Sequence, residues 1–150
     1  MINNNNAEIL LVEDSIDDAE MTIRALKKIL ANSIVHLEDG QEALDYLFGK
    51  GKYIGRNLSM NPKVILLDIK MPRVDGIEVL RQIKTNTATQ MLPVVIMTSS
   101  SAEQDMINSY SLGVNSYVVK PMNFENFAKA INDLGLYWLL TNRTPTKASL

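Results

Sequence analysis

Four apolar residues in a row, Val64, Ile65, Leu66 and Leu67, run straight into Asp68. A continuous apolar run of this length reads as a strand buried on both faces of a parallel sheet. The carboxylate that ends it should sit at the carboxyl end of a central strand. An ionised group there is costly unless it opens on a crevice, is paired, or binds a metal. Pro72 and Gly76 then break the chain, and Ile77, Leu80 and Ile83 restart it with helical spacing. Open α/β sheets bind ligands in the crevice outside their strand ends. Asp68 is therefore the first candidate functional residue.

The same pattern recurs along the chain. Ile9 to Val12 form an apolar run that also ends in acid, Glu13 and Asp14. Ser15 to Ala31 follow as an amphipathic helix, with Ile16, Ala19, Ile23, Leu26 and Leu30 stepping by three and four. Ser33 to Leu37 read as a short strand. Asp39 and Glu42 form a capping box for a helix reaching Phe48. His36, the only histidine, lies near a strand and is read as structural. Gly49 to Pro62 form a long loop, either a functional surface or a tolerated insertion.

Beyond the Asp68 strand and its helix, Val94 to Met97 form a fourth strand ending at Thr98. Ser100 and Glu103 predict a second capping box, opening a helix to Leu112 whose apolar face is Ala102, Met106 and Tyr110. Ser116 to Val119 form a fifth strand ending at Lys120 and Pro121. Asn123 caps a last helix with an inner face of Phe124, Phe127, Ala128, Ile131 and Leu134. Residues 1–7, with four consecutive asparagines, and residues 141–150 read as a disordered lead and a flexible tail around a domain of residues 8–140.

Strands alternating with helices predict an α/β domain: a doubly wound, five-stranded parallel sheet of order 2-1-3-4-5. At 150 residues the chain has room for one such domain and no output domain. A net charge of −2 argues against a nucleic-acid footprint, and the absence of cysteine removes thiol chemistry. With no signal peptide and no apolar run near ~20 residues, the expected location is cytoplasmic.

In that topology Glu13, Asp14, Asp68, Thr98 and Lys120 converge on one edge of the sheet. Carboxylates roughly 5 Å apart repel by about 3 kcal/mol per pair at an effective dielectric near 20. Such a cluster must protonate or hold a cation, and carboxylate oxygens suit Mg²⁺. Lys120 and the Thr98 hydroxyl supply what the oxygens of a phosphoryl group need. The composite reads as phosphoryl transfer onto Asp68.

The segments VEDS, LLDIKMPRVDG, VIMTSS and YVVKP, in this order and spacing, resemble the receiver domain of two-component response regulators. The resemblance covers residues 8–134. It implies that Asp68 is the phosphoacceptor and that Glu13, Asp14, Asp68 and the backbone carbonyl of Lys70 form the Mg²⁺ site. It implies that Thr98 and Lys120 contact the phosphoryl group, that Thr98 and Tyr117 form the switch, and that the Lys120–Pro121 bond is cis. Glu13 stands where the family often has aspartate. YLFGKGKY and LGLYWLLTN are similar to a single-domain bacterial subgroup, some of whose members pair with phytochrome-type histidine kinases.

Duller readings stand beside these. Glu13 and Asp14 could simply cap the first helix, Thr98 could end a strand, Tyr117 could be core, and Lys120 could be a structural ion pair. A flavin carrier shares the topology, but EDSIDD would repel a phosphate. A hydrolase would need an acid where Lys70 stands. A receiver-like adaptor that never turns over phosphate stays open. Finally, Leu136 to Leu140 place five large apolar residues in a row, too many for one face of a helix. They are expected to build a homodimer with the last helix, or to fold back as a cap.

Overall fold

The structure is a computed structural model and describes residues 8–27, 33–120 and 123–138. Five strands, β1 (Ile9–Val12), β2 (Ile34–Leu37), β3 (Val64–Leu67), β4 (Val94–Thr98) and β5 (Ser116–Val119), pair in parallel in the order β2-β1-β3-β4-β5. Between and after them run α1 (Ile16–Lys27), α2 (Gly40–Phe48), α3 (Gly76–Thr85), α4 (Glu103–Ser111) and α5 (Phe124–Leu136). The expected fold class and strand order are those observed. Among the described residues no helix is long and apolar enough to cross a membrane.

Alternation along each strand divides the core in two. Leu10, Val12, Ile65 and Leu67 face α2 and α3, meeting Leu44, Leu47, Val79, Leu80 and Ile83. Ile9, Leu11, Val64 and Leu66 face the other side, meeting Ala19 and Leu26 of α1 and Phe127 and Ile131 of α5. Parallel register does the rest. Val12 is level with both Leu37 and Leu67, and Thr98 with Val119, so the residues after these ends emerge on one edge.

Local signals set the helix starts. The Asp39 side chain accepts from the Glu42 amide at 2.8 Å, Asp75 from Glu78 at 3.0 Å, and Asn123 from Asn126 at 2.8 Å. The capping box expected at Ser100 and Glu103 does not form. Its hydroxyl instead donates to Asp105 at 2.7 Å, and α4 starts after Ala102 with no side-chain cap. The apolar face expected on α4 is also corrected. Met106, Ile107 and Tyr110 are exposed, and Ser109 is the buried residue of that helix. Ile16, expected on the inner face of α1, is exposed as well.

The loop between α2 and β3 is more than an insertion. It opens with a short 3-10 turn, Gly51–Tyr53, and buries both Tyr53 and Arg56. Arg56 Nε donates to the Tyr46 carbonyl at 2.7 Å and Nη1 to the Met60 carbonyl at 3.3 Å. The guanidinium lies 4.1 Å from the Tyr46 ring centroid, and that ring meets Tyr53 edge-on. Such contacts make the loop part of the fold. Arg56→Ala is expected to lower stability by about 3 kcal/mol, read as a denaturant midpoint, and to raise amide exchange across residues 49–62. A loss below about 0.5 kcal/mol would mark the loop as a passive insertion.

Trp138, just after α5, is buried. With Ile9, Leu26, Val64, Leu66, Ile131 and Leu134 it closes the α1 and α5 side of the core. This corrects its assignment to an exposed apolar run: Trp138 caps its own domain, while Tyr137 beside it is half exposed. The lead 1–7, Leu139, Leu140 and the tail 141–150 lie outside the described residues, as does Pro121 with its expected cis bond.

Candidate functional site

Asp68 follows β3 and continues its ladder, donating its amide to the Val12 carbonyl at 3.1 Å. Its carboxylate is almost fully buried, and Oδ1 accepts from the Lys70 amide at 3.3 Å. Gly76, at the start of α3, presses on the same residue. A Cβ there would stand 2.1 Å from the Asp68 carbonyl oxygen. The absence of a side chain is what lets α3 begin this close to the strand end.

Glu13 follows β1, its amide bonded to Leu37 at 3.0 Å and its side chain buried. The Glu13 carbonyl accepts from His36 Nε2 at 2.8 Å. A carbonyl can only accept, so Nε2 carries the proton and the imidazole braces the turn after β1. This is the structural role expected of His36. Asp14, the next residue, is exposed. The carboxylate oxygens of Glu13, Asp14 and Asp68 lie within 4.8 Å of one another.

Lys120 enters from the end of β5, its amide bonded to the Thr98 carbonyl at 2.7 Å. Its ammonium meets three carboxylates: Glu13, Asp18 at 2.8 Å and Asp68 at 3.2 Å. Thr98 is fully buried. Its hydroxyl accepts from the Ser100 amide at 3.2 Å, and the carbonyl of Ser100 accepts from the Tyr117 hydroxyl at 2.9 Å. The five residues expected at one edge are therefore brought together there, with Tyr117 two bonds from Thr98.

Burial and crowding divide the charge unequally. Burial, with a hydrogen bond to Asp68 in support, pushes Glu13 up to about 8 against the pull of Lys120. Burial acts on Asp68 in the same sense, but the bond from Glu13, the Thr98 hydroxyl and the Lys120 charge outweigh it and hold Asp68 below the usual range. Burial also opposes the charge on Lys120, yet Asp18, Glu13 and Asp68 raise it. The two shifts favour a shared proton on Glu13 over Asp68, the better placed of the two to act as a nucleophile.

Three clustered oxygens, two of them buried, suit a hard divalent cation. Glu13, Asp14 and Asp68 would hold such a cation through their oxygens, which already lie within 4.8 Å of one another. A cation would also offset the burial and the neighbouring Asp68 that hold Glu13 up.

Two residues of the site escaped the sequence. Asp18 sits in the first turn of α1, one turn before buried Thr22 and so on the stripe that faces the sheet edge, whereas Asp17 points away and is exposed. Periodicity could have separated the two, since i and i+4 share a face. Asp105 accepts from the Ser100 hydroxyl and lies 3.7 Å from the Lys70 ammonium, which joins α4 to the mouth of the site. No pattern in the sequence marked it.

Comparison with known proteins agrees with this geometry. A family model described as the response regulator receiver domain matches residues 9–132. The probable methanogenesis regulatory protein FilR2 of Methanothrix harundinacea is 42% identical, over 93% of this chain and 88% of its own. Response regulator Rcp1 of Synechocystis is 38% identical, over 91% and 92%. The structure of its Mn(2+)-bound form superposes with a TM-score of 0.86 at 37% identity, covering 93% of this chain and 99% of that one. The bacteriophytochrome response regulator AtBRR is 51% identical, with a TM-score of 0.72 over 92% and 99%.

Proposed function

This chain belongs to the response regulator receiver family, and on that premise we propose that Asp68 takes a phosphoryl group from a sensor histidine kinase. One observation carries the reading. A buried carboxylate stands at the end of a central strand with the Lys120 ammonium 3.2 Å away and the Glu13 and Asp14 oxygens within 4.8 Å. An Asp68 oxygen attacks the phosphorus of a phosphohistidine. The P–N bond breaks, its electron pair returns to the imidazole nitrogen, which takes a proton from water, and Asp68 becomes an acyl phosphate. Glu13, Asp14, Asp68 and the Lys70 carbonyl would hold Mg²⁺, which would supply charge neutralisation. Lys120 and Thr98 take the remaining phosphoryl oxygens.

The bonding around Ser100 supports a route for the signal. Drawing the Thr98 hydroxyl toward the phosphoryl group takes away the acceptor of the Ser100 amide. The same residue holds the Tyr117 hydroxyl. Its release favours rotation of Tyr117 inward and biases a two-state equilibrium. The domain, residues 8–140, acts in the cytoplasm. It pairs with a second copy through α5 and the neighbourhood of Tyr137, which is half exposed.

The name of AtBRR points to a phytochrome and that of FilR2 to the regulation of methanogenesis, and the higher identity to AtBRR, 51% against 42%, favours a phytochrome-type kinase. Phosphotransfer profiling tests this. The chain should drain phosphate from a phytochrome-type kinase of its host faster than from the host's other histidine kinases. Preferential transfer from a kinase without a phytochrome module would contradict the assignment.

A further inference from the structure

Lys120 has three N–H donors and three carboxylates to fill them, and the three are not alike. Glu13 and Asp68 belong to the cluster that fits a divalent cation, and Asp18 does not. A cation entering that cluster needs oxygens that Lys120 now holds. From this arrangement we infer that Asp18 is a positioning residue that draws Lys120 off the metal-binding carboxylates. Its contact with the ammonium, 2.8 Å, is shorter than the one to Asp68 at 3.2 Å, while Glu13 is held closer than either. When a cation takes Glu13 and Asp68, Asp18 is the partner the ammonium keeps. The inference rests on the metal site of the reading above, not on phosphoryl transfer.

The fold supports this role at both ends. Lys120 is pinned at its backbone by the Thr98 carbonyl, and its side chain is only 10% exposed, so the ammonium can pivot but not leave. Asp18 is set by the first turn of α1, where its amide donates to the Ser15 hydroxyl at 3.3 Å and its carbonyl accepts from Thr22 at 2.8 Å. An acid in a first helical turn is ordinary compensation of the helix dipole. Asp17 serves that purpose equally well from the neighbouring position. Only Asp18 reaches across to a lysine on another strand end, which the dipole alone does not explain.

Without Asp18 the ammonium must stay with Glu13 and Asp68 and compete with the incoming cation. A plain through-space effect of lost negative charge would also weaken cation binding, and a double-mutant cycle separates the two. Mn²⁺ affinity is measured by electron paramagnetic resonance on the full chain without phosphodonor. Asp18→Asn should weaken Mn²⁺ binding about tenfold, as loss of an outer partner does. In a Lys120→Met background, where there is no ammonium to draw off, the same change should cost less than about twofold after screening. Lys120→Gln serves if Lys120→Met does not fold, and Asp17→Asn should leave the affinity unchanged. Equal loss from Asp18→Asn in both backgrounds, or no loss in either, overturns the role of Asp18 alone. No Mn²⁺ binding by the unaltered chain overturns the metal site and this inference with it. Loss of phosphorylation with metal binding intact touches only the phosphoryl-transfer reading.

Discussion

Gly76→Ala is expected to destabilise the domain by on the order of 3 kcal/mol and to dislocate Asp68 in the molecules that still fold. The added methyl would meet the Asp68 carbonyl oxygen at 2.1 Å and the Ile69 Cα at 2.7 Å. Both are backbone atoms and cannot swing aside as a flexible side chain could. Retreat is closed on the other side too. Val74, two residues earlier, has its carbonyl against Gly40, where a Cβ would stand at 1.9 Å. The turn between β3 and α3 is thus wedged between the strand end and α2. Denaturant unfolding gives the stability. A midpoint within about 0.5 kcal/mol of the unaltered chain would mean that the turn has slack the structure does not show.

A second large effect concerns pH. Glu13 is held up to about 8, against an ordinary value of 4.5. Between those values the folded chain binds a proton that the unfolded chain has lost. Stability must therefore fall as pH rises through that window. Asp68, held low, and Lys120, held high, do not titrate within it. After allowance for partial solvation, the fall from pH 5 to pH 8 should be about 2 kcal/mol. Saturating Mg²⁺ should remove it, because the cation takes the place of the proton, and apparent Mg²⁺ affinity should climb roughly tenfold per pH unit below 8. Glu13→Gln should flatten the profile without metal. Stability that holds level from pH 5 to pH 8 in the unaltered, metal-free chain would show that Glu13 is already ionised.

These effects depend on residues the sequence reveals unevenly. Asp68, Glu13, Thr98 and Lys120 were legible because each ends an apolar run, and parallel register carries all such ends to one edge. The caps at Asp39 and Asn123 were legible because they act over three residues. Asp18 was passed over: its partner lies 102 residues away, and only its one-turn spacing from Thr22 sets it apart from the identical acid beside it. Arg56 was hidden differently. A charged residue among glycines reads as solvated, and only the structure shows carbonyls and the Tyr46 ring enclosing it. On α4 the pattern misled, because a nine-residue helix at the edge of the core can leave Met106 and Tyr110 outside. Trp138 was misread for a related reason. A run of apolar residues does not say which of them turns inward, and here the indole joins the buried cluster of Leu66 and Ile131.

Intact-mass spectrometry shows whether Asp68 accepts phosphate with help from a divalent cation. The chain is incubated with a small phosphodonor and Mg²⁺, with EDTA, and as Asp68→Asn. A single added phosphoryl mass in the first case and none in the other two is the predicted result. Labelling of Asp68→Asn to the same extent as the unaltered chain would contradict it.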